Sequence, residues 1–190
     1  MPAFPALEEP LHDDRVALRY GAERDIPEVL IAHDNDPGLY LALGRERPPT
    51  GAELGSRAER DPAERAAGTG VRFTLVEPDS DEFLGELGVH HVDWENRRAG
   101  VGIWLIAGAR GRGFGTRALR LAGEWLLLTC GFERVEALTD PGNEAMIDSA
   151  RAAGFQLEGV LRSYQLDRGR RVDVTVLSLV RADVRKPPGR

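Results

Sequence analysis

The feature that most constrains this chain is a thirteen-residue stretch, Trp104-Leu105-Ile106-Ala107-Gly108-Ala109-Arg110-Gly111-Arg112-Gly113-Phe114-Gly115-Thr116. It is entered from an unbroken apolar run, Val101 to Ile106, which predicts a central strand buried on both faces. It leaves into Thr116–Thr129, where Leu119, Ala122, Trp125 and Leu126 recur at helical spacing until Gly131 ends the pattern. A buried strand that turns through glycines into an amphipathic helix calls for a sheet with helices packed on its faces. The same junction aims the unpaired amides of the first helical turn outward, at the positive end of the helix dipole. Glycines 111, 113 and 115 let backbone approach an anion closely, and Arg110 and Arg112 add charge, so the loop Arg110–Thr116 predicts a diphosphate site. The competing reading is a glycine turn that only tightens the junction. Thr116 stands where a dinucleotide fingerprint needs its last glycine, and the sole lysine, Lys186, follows no glycine, which excludes a Walker-type loop.

The remaining pattern alternates helices and strands. Residues 16–20 read as a strand. Residues 24–43 read as a helical stretch broken near Pro37-Gly38, and 51–67 as a more polar helix. Residues 71–76 and 83–92 form a hairpin about the turn 78–81. Beyond the 116–129 helix come a strand at 134–139, a helix opened by Asp140-Pro141-Gly142-Asn143 and stopped by Gly154, and two closing strands, 157–166 and 172–180. The expected architecture is a mixed α/β sheet of about seven strands with helices on both faces. One domain is expected over 15–183, with 1–14 a loose proline-containing arm and 184–190 a frayed tail.

Composition narrows the function. The chain of 190 residues is 42% hydrophobic, yet no apolar run approaches a membrane span, and its acidic start does not fit a secretory leader. A single cysteine, Cys130, fits a reducing cytoplasm and reads as a small buried hydrophobe. With four scattered histidines it gives no metal-ligand spacing, so no metal is expected. The net charge of −6 disfavours nucleic acid. Within this acidic protein, Arg110, Arg112, Arg117 and Arg120 form a local cationic island without an intervening acid, which suggests one anionic ligand. A homodimer is left open.

Three segments together resemble a known family. Arg110-x-x-Gly113-x-Gly115 is similar to the R/Q-x-x-G-x-G/A motif of the GNAT N-acetyltransferases. Asn143 opens the next helix at the family's spacing, and Gly154-Phe155-Gln156-Leu157-Glu158-Gly159-Val160-Leu161-Arg162 resembles the G-F-x-x-E-G-x-x-R segment of the RimJ/RimL-like branch, as does Asp173–Leu179. The resemblance spans about 16–183. It implies acetyl-CoA as co-substrate, with its diphosphate on Arg110, Gly111, Arg112, Gly113, Phe114, Gly115 and Thr116. It also implies a fork between the strands 101–106 and 134–139, where backbone at Trp104, Leu105 and Ile106 pairs with the pantetheine arm, and Asn143 as a pantetheine partner or helix cap. The implied reaction is direct attack by a primary amine, of a peptide N-terminus or a small molecule, with a backbone amide stabilising the oxyanion.

The family's familiar acid and base positions carry no carboxylate or histidine here. They hold Gly100, Met146, Ala150 and the run Ser163-Tyr164-Gln165. The remaining candidates near the fork are His90, His91, Asp93, Ser149 and Tyr164. Alternation along the strand puts His90 on the face of Glu86 and His91 on that of Phe83, Leu87 and Val89, so His90 is the expected base, with Ser149 as a second catalytic candidate. A non-catalytic acyl-CoA-binding module is the alternative function.

Overall fold

A computed structural model describes residues 3–184. The chain opens with β1 (Leu11–His12) and β2 (Ala17–Tyr20). A single 3-10 turn, Glu23–Asp25, then leads into α1 (Ile26–Asn35), α2 (Leu39–Ala42) and α3 (Gly51–Ala67). Next come β3 (Val71–Val76), β4 (Phe83–Asp93), β5 (Arg98–Leu105), α4 (Phe114–Glu124), β6 (Arg134–Thr139), α5 (Glu144–Ala152), β7 (Gln156–Asp167), β8 (Arg170–Val180) and α6 (Arg181–Val184). All strands lie in one sheet of order β1-β2-β3-β4-β5-β6-β8-β7. Among the described strands only β5 and β6 run parallel, because α4 is the crossover that joins them. The sheet has eight strands, the short β1 being additional to the expected seven.

Residues 24–43 break as expected, since Pro37-Gly38 separates α1 from α2. The helix expected over 116–129 begins earlier, at Phe114, and its last turn, 125–129, widens to π geometry before Gly131 in the left-handed region. The widened turn seats Trp125, Leu126 and Leu127 in the core in succession.

The main core lies between the sheet and α4–α5, built from Leu18, Phe73, Leu75, Leu87, Val101, Phe114, Leu119, Leu126, Val135 and Ala137, each about 1% exposed or less. A smaller cluster on the other face joins Val29, Leu54 and Phe83, under α1 and α3. The N-terminal segment is not a loose arm from Ala3 onward. Phe4 is 5% exposed and stacks among Trp94, Trp125 and Phe132, with ring centroids 4.5–6.1 Å apart within this group. Its prolines concealed an aromatic anchor worth a few kcal/mol of buried surface. Of the tail expected to fray, Val184 closes α6 and 185–190 lie outside the described residues.

Candidate active site

The fork is present and its extent is defined by register. Pairing of β5 with β6 runs Arg98↔Arg134 to Val101↔Ala137 and stops. On its other side β5 continues to pair with β4 as far as Leu105, opposite Gly85, where the strands come so close that no Cβ would fit. Arg97 C=O accepts from β6, and Ile106 N–H donates to Leu84 C=O at 3.0 Å. Strand alternation therefore turns the backbone groups of Ile103 and Leu105 to the open edge, and those of Trp104 and Ile106 to β4. Of the three backbone positions expected at the fork, Leu105 is open to it. Ile106 is committed on both groups, since its carbonyl accepts Ala109 N–H. Ile103 was missed, because only the observed register fixes the parity.

Above the open edge, Gly111 and Gly113 adopt positive φ of 71° and 83°, and Gly113 is the N-cap of α4 without a side-chain cap. The N–H groups of Phe114, Gly115 and Thr116 thus begin the helix with no side-chain acceptor. The Phe114 ring is buried in the core, so only its backbone faces the loop. A Cβ on Gly111 or Gly113 would meet no protein atom within 4 Å, so the loop's outer surface is open and glycine serves the left-handed backbone.

The cationic island is largely compensated. Arg117 pairs with Asp13 and Asp14 at 2.6 Å, and Arg120 donates to Ala152 C=O. Arg112 lies 4.8 Å from the Phe114 ring centroid and 3.8 Å from Glu77. Arg15, which sequence reading passed over, covers the same ring at 5.1 Å. Arg110 reaches back, its Nε donating to Leu105 C=O at 3.0 Å and Nη2 to Asp36 at 2.6 Å.

His90 sits at the vertex of the fork. Glu86, Gly88 and His90 share a face with Trp104, Gly102 and Gly100 through the β4–β5 register. The His90 ring lies over the two glycines, its Nε2 3.3 Å from where a Cβ on Gly102 would stand. The expected separation of the histidines fails, because a bulge between His90 and Asp93 gives His91 φ of 50° and brings the two Nδ1 atoms to 3.2 Å. Phe83 also leaves the Leu87 face, owing to a second register shift between Leu75 and Val76, and packs on Trp104. Burial, then the neighbouring His91, lowers the His90 pKa below its ordinary value, so the ring is neutral at pH 7. The tautomer in which His90 Nδ1–H donates to His91 leaves a lone pair on Nε2.

One row across the sheet reads His90, Gly100, Glu136, Ser178. Glu136 of β6 follows Gly100 in that row, a carboxylate that the sequence alone could not place. Its Oε1 accepts Arg134 Nε at 2.7 Å, and Arg134 also holds Glu158. Beside this row the Trp104 indole N–H donates to buried Glu86, which Arg57 and Arg72 pair; Arg72 also meets Asp61.

Ser149 lies elsewhere. On α5, its Oγ is 3.7 Å from a Cβ built on Gly115, beside the Leu105 side chain, on the opposite face of β5 from His90. The structure does not bring these two together. Asn143 Oδ1 accepts Met146 N–H at 3.1 Å and so caps α5. Cys130 is half-buried and desolvation pushes its thiol up to about 12, which leaves it inert. Tyr164 is 54% exposed on β7.

Residues 15–156 match the model of the acetyltransferase (GNAT) domain. The chain belongs to the GNAT acetyltransferase family. It is 28% identical over 178 residues to the uncharacterized N-acetyltransferase YoaA of Bacillus subtilis, covering 94% of this chain and 98% of that protein. It is 32% identical over 116 residues to the uncharacterized N-acetyltransferase p20 of Bacillus licheniformis, a match covering 61% of this chain and 65% of that protein, just under two thirds. The fold is that of Mycobacterium smegmatis RimJ solved with a CoA disulfide, at TM-score 0.76 and 22% identity over 90% of this chain and 84% of that one. Among the described residues no helix is long and apolar enough to cross a membrane, and no group of three or more potential ligands could hold a metal ion.

Proposed function

We propose that this protein is an acetyl-CoA-dependent N-acetyltransferase acting on a primary amine, by direct attack within a ternary complex. The observation that carries the reading is the end of β5–β6 pairing at Val101↔Ala137, directly below the glycine loop and uncapped start of α4. A thioester on a pantetheine arm fits this arrangement. Its amides would pair with the free edge at Ile103 and Leu105 like an added strand, while its diphosphate takes the amides of 113–116. Bound acetyl-CoA supplies the activated acyl group. The chain's own residues orient it and handle the protons.

His90, over the vertex of the fork and with its neutral form favoured by burial, is the group suited to take the proton of the incoming ammonium, directly or through water, so that the free amine can attack. Glu136, two strands over in the same row, offers a negative charge for that ammonium. A cleft of about 150 Å³, lined among others by Glu28, Ile31, Asn35, Phe83 and Ile106, supports an acceptor carrying positive charge and aliphatic carbon. Peptide N-termini and small-molecule amines both meet that description, in a reducing cytoplasm consistent with one inert cysteine.

A non-catalytic acyl-CoA-binding module is the second reading, favoured by the non-ionisable residues at Gly100, Met146 and Ala150. One experiment separates them: thiol release from acetyl-CoA in the presence of N-terminal peptides, polyamines and aminoglycoside amines. Turnover with any class supports the enzyme. Tight CoA binding with no turnover across the panel supports the module.

A further inference from the structure

Arg110 holds two partners that a bound cofactor would also claim. Its Nε donates to the carbonyl of Leu105, one of the two residues whose backbone faces the open edge, and its Nη2 lies 2.6 Å from Asp36 at the end of α1. A pantetheine amide pairing with that edge needs the Leu105 carbonyl. A diphosphate on the loop needs the guanidinium to turn outward. Both demands compete with Arg110 lying across the edge, so ligand and ion pair oppose one another.

We propose that Asp36 sets this protein's affinity for CoA by holding Arg110 across the pantetheine edge, so that binding proceeds by exchange of the Arg110 guanidinium from Asp36 to the cofactor's phosphates. The inference rests on the acetyl-CoA reading above. The hold is a tethered one. Asp36 Oδ1 accepts Gly38 N–H at 3.1 Å, which fixes the carboxylate at the α1–α2 break, and the Arg110 hydrogen bond lowers its pKa so that it stays charged through neutral pH. Arg110 and Asp36 are 48% and 23% exposed, so the pair is weak enough to be exchanged and strong enough to compete. No proton or covalent bond changes hands. What moves is one guanidinium from a carboxylate to a diphosphate.

The test is CoA binding measured by calorimetry and stopped flow at low salt. Asp36→Asn keeps the acceptor for Gly38 N–H but removes the charge, and it should bind CoA about two- to fivefold tighter, the span expected from one exposed ion pair. The gain should appear in the association rate, because Asp36 acts before the complex forms. Arg110→Ala should bind less tightly than wild type, and in that background Asp36→Asn should change nothing. Equal or weaker binding by Asp36→Asn overturns the proposal. Tightening that persists without Arg110 also overturns it, by showing that Asp36 repels phosphate directly. Wild-type protein that fails to bind CoA defeats the acetyl-CoA reading itself, and this proposal with it.

Discussion

The His90 imidazole occupies the volume that any side chain at Gly100 would need: its Nδ1 lies 2.8 Å, and its Cε1 2.9 Å, from the position of a Cβ on that glycine. The two residues are register partners on β4 and β5 at the vertex of the fork. The glycine at this vertex is therefore matched by a ring on the next strand, leaning into the space that a side chain would fill.

Gly100→Ala should displace that ring and lower kcat/KM by roughly tenfold or more, the lower part of the range for lost general-base help. Because the closest clashes fall on the ring, with the His90 carbonyl 3.3 Å away, the variant should still fold, with a lowered melting temperature. The double variant with His90→Ala should be no slower than either single variant, since both remove one function. Steady-state kinetics on the three proteins checks this.

His90→Ala should leave CoA binding intact and remove one limb of the pH profile. The folded pKa of His90 is depressed, so the base is already available below the ordinary imidazole value of about 6.5. Wild-type kcat/KM should rise with pH through that acidic limb, and then further as the acceptor amine loses its proton. Only the second rise should survive in the variant.

Gly113→Val should abolish the thermal shift produced by CoA. Gly113 is the left-handed N-cap of α4, at φ 83°. A β-branched residue there must refold the loop, at a cost on the order of 1–3 kcal/mol. For wild type, CoA at 100 times its dissociation constant should add about 2.7 kcal/mol. Differential scanning of both proteins, with and without CoA, supplies the measurement.

Glu158 is held by Arg134 and by the Ser178 hydroxyl, with its carboxyl lowered to about 2. A carboxylate with a depressed folded pKa stabilises the protein above its unfolded value, near 4.5, and that contribution is lost as pH falls toward 2. Glu158→Gln should therefore narrow the gap to wild type when melting is followed from pH 7 down to pH 3. A gap independent of pH would assign Glu158 a packing role only.

Element order was legible because it rests on local pattern: the apolar run of β5, the glycines before α4 and the three-to-four spacing of its core face. The loop residues followed from the same pattern. What escaped depends on register. The bulge after His90 that turns His91 back, the shift that moves Phe83 to the Trp104 face, and the parity that opens Ile103 rather than Ile106 are set by how strands meet. Glu136 became visible only when β6 was laid in register beside Gly100. The partners of Arg110 and Arg117 lie far off in sequence, so a cationic island on paper is mostly a set of ion pairs in space.

The burial of Phe4 has a consequence for how the chain is made. Its ring is packed by Trp94, Trp125 and Phe132, all translated long after it. Phe4 must wait for Trp125 and Phe132, more than a hundred residues further on, before its aromatic surroundings are complete, a contact of high sequence separation and slow closure. A nascent chain halted before Trp125 leaves that aromatic ring only partly covered.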